Sequence, residues 1–150
     1  MKSFTLAAAL ATLSYRVAAH GIVTKITIGT KTYQGYDPNF QYMPTPPAVI
    51  GWAAPATQDR GPVDGSALQN PDVICQRGAT NAKLSAPVAA GDSVSLQWTE
   101  WPTSHKGPMI DYLADCGGDC STVDKTTLKF FKIDGVGMTS TTGVRLGIFF

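Results

Sequence analysis

The sequence predicts an all-β sandwich, and three observations carry that prediction. Ile22, Thr24, Ile26 and Ile28 alternate with Val23, Lys25 and Thr27, the period of two of a strand with one buried face. Past the first nineteen residues, no segment of ten or more residues keeps helical spacing. The 15 glycines and 10 prolines, with many Thr and Ser, favour turns between short strands over helices.

The elements follow in order. Residues 1–19 read as a secretory signal peptide: Lys2 gives a positive start, Phe4 to Leu13 an apolar stretch too short for an ordinary membrane helix, and Val17-Ala18-Ala19 the small residues of a cleavage site. Arg16 fits this pattern least, and an uncleaved anchor or a cut one or two residues away is the alternative. Secretion and an extracellular location are therefore expected. Residues 20–150 then form one domain. Its first strand runs into a Gly29-Thr30-Lys31 turn and a hairpin return at Thr32-Tyr33-Gln34. Five prolines between Gly35 and Pro55 mark a long surface loop. Further strands are expected at Val94, Leu96 and Trp98, at Ile110, Tyr112 and Ala114, and from Leu128 to Ile133. Gly135 to Gly143 is small and polar, and Leu146 to Phe150 ends the sequence on an apolar run, either a terminal edge strand or a sign that the sandwich is incomplete at its C-terminus.

A net charge of +1 and a charged fraction of 15% provide no basic footprint for nucleic acid or for an anionic membrane. Such partners are not expected, and the chain is expected to act as a monomer. An uncharged glycan suits this surface. The sequence holds no Asn-x-Ser/Thr acceptor and no internal repeat.

Three cysteines in an oxidising compartment cannot all pair within the chain. Cys116-Gly-Gly-Asp-Cys120 is a tight loop whose glycines permit a reversal, so a local Cys116–Cys120 disulfide is expected. Cys75 is left over. It is either a buried free thiol or the partner of a cysteine in sequence that this chain lacks.

Only two histidines occur. After cleavage at Ala19, His20 becomes the first residue, and its α-amine and imidazole can close one chelate ring. Nitrogen donors in a plane, without thiolate, suit copper(II) better than zinc, calcium or magnesium. His105 lies in the Trp101-Pro102-Thr103-Ser104-His105-Lys106-Gly107-Pro108 loop after a predicted strand. A loop histidine is by default solvated or hydrogen-bonded. Beside a chelating terminus, though, it is the remaining side chain able to complete a planar copper site. Hydrolysis fits less well. Glu100 is the single glutamate, and although it could pair with Asp111, nothing in their spacing places the two carboxylates on one concave surface. There is no Gly-x-Ser-x-Gly elbow and no phosphate-binding Gly-Lys-Ser/Thr loop, and Cys75 as a nucleophile would need a histidine base.

Several stretches resemble fungal lytic polysaccharide monooxygenases of auxiliary activity family 9, formerly glycoside hydrolase family 61. They are His20-Gly21, Tyr33-Gln34-Gly35-Tyr36, Pro71-Asp72-Val73-Ile74-Cys75, Trp101 to Pro108, Asp111 to Cys120, and Val123 to Ile133. The likeness runs from the cleavage site to about Met138.

The resemblance implies an immunoglobulin-like or fibronectin-like sandwich with a flat face and a copper "histidine brace" formed by His20 and His105. In the family, copper, an external electron donor and O2 or H2O2 oxidise C1 or C4 of β-1,4-linked glucose in cellulose, and the glycosidic bond breaks. Tyr42 lies where family members often stack an aromatic on a sugar, although core packing or a turn anchor serves that position equally well. Family members continue well beyond Phe150. That further stretch carries an axial tyrosine, a histidine and a glutamine near the oxygen species, and the cysteine that pairs with the counterpart of Cys75. The resemblance fades from about Thr139, so an inactive fragment or a non-catalytic copper- or glycan-binding protein is the alternative expectation.

Overall fold

The computed structural model describes residues 21–55, 61–99, 107–137 and 148–149. Those residues form two antiparallel sheets and short 3₁₀ turns, with no α-helix among them. The first sheet joins β1 (Val23–Ile28), β2 (Lys31–Gln34), β3 (Ser93–Trp98) and β6 (Ile148–Phe149) in the order β2-β1-β3-β6. The second pairs β4 (Met109–Ala114) with β5 (Phe130–Val136).

The hairpin is one residue tighter than the sequence predicts. Ile28 pairs directly with Lys31, so Gly29 and Thr30 alone make the turn, and Gly29 supplies the positive φ of 56° that it requires. The hydroxyls of Thr27 and Thr32 meet across the strands at 3.0 Å. β3 follows the predicted alternation, with Val94 buried, Leu96 and Trp98 half-buried, and Ser93, Ser95 and Gln97 exposed. Thr24 is the extra residue of a bulge between β1 and β3, and its hydroxyl donates to the Gln97 carbonyl at 3.0 Å.

Two predicted segments differ from the sequence reading, and a third takes one of its two expected forms. The 35–55 loop has structure of its own: Pro38–Tyr42 forms a 3₁₀ turn, capped where the Asp37 carboxylate accepts from the Asn39 amide at 2.9 Å. Phe40 is only 5% exposed and meets Tyr36 edge-on at 5.7 Å, so this loop buries an aromatic anchor where a surface path was expected. β5 starts at Phe130, not Leu128, because Asp124 caps a 3₁₀ turn over Lys125–Thr127. It then runs on to Val136 through Gly135. The terminal apolar run pairs as an edge strand, with Ser93 opposite Phe149 and Val94 opposite Ile148.

Among the described residues the buried apolar side chains are Val94 in the first sheet and Phe40, Val49, Ala54 and Ala79 beneath the loops. Ala53 and Thr80 exchange backbone hydrogen bonds at 3.0 and 2.8 Å, tying those loops together. No described helix is long and apolar enough to cross a membrane.

Candidate metal and glycan site

Three segments leave the four-stranded sheet at one end. Val23 opposite Trp98 and Lys25 opposite Gln34 place the start of β1 beside the ends of β2 and β3. Beyond the ladder, the Ile22 amide donates to the Thr99 hydroxyl at 3.0 Å, and the Thr99 amide donates to the Ile22 carbonyl at 2.9 Å. On the other side the Gly35 amide donates to the Thr24 carbonyl at 2.9 Å. Gly35 has no room for a side chain: an added Cβ would collide with the Val23 carbonyl oxygen and lie 2.9 Å from its carbon. The sequence reading assigned no role to Thr99. Gly35 was visible only as part of a quoted motif.

His20 and His105 themselves lie outside the described residues, as do Glu100 and the 101–106 stretch. The structure does describe their flanks. Ile22, two residues after His20, is hydrogen-bonded to Thr99, six residues before His105 in sequence. The loop bearing Tyr42 departs from the same end.

Tyr42 is 67% exposed, which removes core packing as its role. Phe40 is the anchor of that turn. The Gln41 side-chain amide donates to the carbonyls of Pro38 at 2.7 Å and Pro55 at 3.2 Å, so Tyr42 stands on a braced mount. Burial, and secondarily the neighbouring Asp37 carboxylate, push the Tyr36 phenol up.

Cys116 and Cys120 are bonded, with sulfurs 2.07 Å apart. Gly117 turns the loop at φ 64°, and the Asp115 carboxylate accepts from its amide at 2.8 Å. The Asn81 side-chain amide donates to the carbonyls of Cys120 at 2.9 Å and Val123 at 2.8 Å, a clamp for which the sequence held no signal. Cys75 is a free thiol on an exposed residue, so the buried-thiol expectation does not hold. Partial burial of its sulfur pushes the thiol up, and Lys125 pulls the other way. Asp111 lies opposite Asp134, a carboxylate the sequence reading did not consider as its partner. Among the described residues no group of three or more His, Cys, Asp or Glu side chains could hold a metal.

The model of Auxiliary Activity family 9, formerly GH61, matches residues 20–146. The chain belongs to this family. It is 55% identical over 124 residues to the family 9 lytic polysaccharide monooxygenase B of Aspergillus tamarii, covering 83% of this chain and 33% of that protein. It is 56% identical over 138 residues to the family 9 lytic polysaccharide monooxygenase A of Talaromyces pinophilus, covering 91% and 44%. The extended catalytic domain of LPMO9A from H. jecorina superposes with a TM-score of 0.76 at 56% identity, over 81% of this chain and 49% of that one. A cellulose-active polysaccharide monooxygenase from M. thermophila superposes at 0.66 with 34% identity, over 81% and 49%. The chain thus spans between a third and about half of the length of the relatives and structures named here, and over that length it shares their β-sandwich fold.

Proposed function

We propose that this family 9 chain is part of a secreted, copper-dependent lytic polysaccharide monooxygenase, with cellulose or a related β-1,4-glucan as its substrate. The observation that carries the reading is the hydrogen-bonded pair Ile22–Thr99, which joins the flanks of both histidines at one end of the sheet. The family match begins at His20, in keeping with residues 1–19 being a signal peptide and His20 the first residue of the secreted protein.

The donor set suits copper: two imidazoles and an α-amine, all nitrogen. Cys75, its thiol pushed up, offers little thiolate in competition. His20 would hold the ion through its amine and ring, and His105 through its ring. When bound, copper supplies the one-electron chemistry that oxidises C1 or C4 with an external electron donor and O2 or H2O2. The Ile22–Thr99 pair holds the chain two residues after His20, and the exposed, braced Tyr42 offers a ring for a sugar to stack on.

Copper titration followed by product analysis tests this. The secreted protein beginning at His20 binds one copper ion, and with reductant releases oxidised cello-oligosaccharides. His20→Ala and His105→Ala each weaken copper binding by more than about 100-fold. Unchanged affinity in both variants rules the site out. Copper or glycan binding without turnover is the second reading, for which binding without oxidised products is the signature.

A further inference from the structure

The β4–β5 sheet carries a feature that the proposed copper site does not use. Asp111 on β4 stands directly opposite Asp134 on β5, and both residues are half-buried. Register places the pair in an otherwise apolar row, with Met109 and Val136 on one side and Leu113 and Phe131 on the other. Like charges directly opposite across two strands destabilise the pairing. Among the described residues this sheet has two strands, so no further ladder there compensates for the repulsion.

We propose that Asp111 and Asp134 are a proton-operated latch, which closes the β4–β5 sheet in acid and loosens it toward neutral pH. The latch works by sharing one proton. Asp134 is the acceptor half: its Oδ1 already accepts from the Gly135 amide at 2.8 Å. Asp111 takes a proton from solvent, and its carboxyl group then donates to the Asp134 carboxylate, replacing repulsion with a charge-assisted hydrogen bond. Burial first, and the Asp134 charge second, push Asp111 above the ordinary carboxylate range, as this assignment requires.

Among the described residues, no basic side chain stands in the β4–β5 row that carries Asp111. Lys132 lies on the opposite face, opposite Tyr112, with its ammonium beside Gly135. A pKa raised on folding stabilises the folded strand pair below the unfolded carboxyl value, near 3.9, and that stabilisation disappears as pH rises through the higher folded value. β4 begins four residues after His105, so the latch orders the strand leading out of that loop. The inference rests on register and burial, not on copper.

Hydrogen exchange on the full secreted chain, corrected for intrinsic rates and followed from pH 4 to 8, tests it, with ¹³C titration of the Asp111 carboxyl alongside. Protection of β4–β5 amides falls about 3- to 10-fold between acid and neutral pH, while β1–β3 protection stays level. Asp111→Asn and Asp134→Asn are uncharged and close in shape. Both flatten the β4–β5 dependence without losing protection at pH 7, and Asp134→Asn also brings the Asp111 titration down. A dependence that survives both substitutions, or an Asp111 that titrates at the ordinary carboxylate value, overturns the latch.

Discussion

The two sheets share one alphabet of alternating apolar residues but turn it into different degrees of burial. In the first sheet β1 is flanked by β2 and β3, β3 is flanked by β1 and β6, and the inward Val94 is only 6% exposed. In the second, β4 and β5 pair only with each other among the described residues, and apolar residues stay open on both faces: Tyr112 is 51% and Phe131 56% exposed. Alternation therefore specifies which residues share a face, whereas burial depends on what lies over that face. The candidate site is built on the better-covered sheet, where hydrogen bonds at Ile22, Thr24 and Thr99 hold three segments together.

The most damaging change to that end of the first sheet is Gly35→Ala. The new methyl group meets the Val23 carbonyl, which is backbone and cannot rotate away. The expected loss is about 3 kcal/mol, read as a fall in thermal midpoint, with weaker copper binding following from the displaced start of β1. A cost below about 1 kcal/mol would show that β1 and the loop after β2 part easily, and that the site does not depend on their contact.

A matched pair of truncations comes next in size. Val94→Ala removes a buried side chain and is expected to cost about 2 kcal/mol, whereas Phe131→Ala removes a larger but open one and should cost below about 1 kcal/mol. The order runs against residue size, so it isolates burial as the cause. If chemical denaturation gives equal costs, the face of β5 that carries Phe131 is covered in solution and the contrast between the sheets disappears.

The sequence was legible where one local rule decided the outcome. Val94 to Trp98 alternate cleanly, the first strand falls where its pattern places it although the bulge at Thr24 interrupts its alternation, and Gly117 and Gly118 permit the turn that joins Cys116 to Cys120. The copper proposal has a different basis: the chain has two histidines, and one of them follows the expected cleavage site. What stayed hidden depends on tertiary placement. Phe40 is buried by Tyr36 within a proline-rich stretch that has no period to read. Ile110 and Tyr112 have the pattern of a buried face but are exposed, while Asp111 between them is half-buried. The Asp111–Asp134 pairing depends on a bulge that skips Ile133, and nothing in the local residues marks that skip. Asn81 reaches the disulfide loop across about forty residues of sequence, beyond any local signal.

The smallest expected effect also sharpens the contrast, because it runs in the opposite direction to the latch. Asp124 caps the turn that feeds β5: its carboxylate accepts from the Thr126 amide at 2.9 Å and the Thr126 hydroxyl at 2.7 Å. Those bonds, the hydroxyl first, hold its pKa below the ordinary carboxylate range, and the group is fully exposed. A carboxyl lowered on folding stabilises the protein above its unfolded value, near 3.9, and that contribution is lost as pH falls through the lower folded value. Asp124→Asn keeps an acceptor oxygen but removes the charge, so the variant and the parent should differ by a constant, small amount above about pH 5 and converge below about pH 4. The Asp111 effect appears on the other side of that boundary, at higher pH and with stability falling as pH rises. Thermal midpoints of Asp124→Asn, Asp111→Asn and the parent across pH 3 to 8 therefore separate cap from latch. If the Asp124→Asn difference instead grows toward acid, the caps and not the strand pair control the pH response of this half of the molecule.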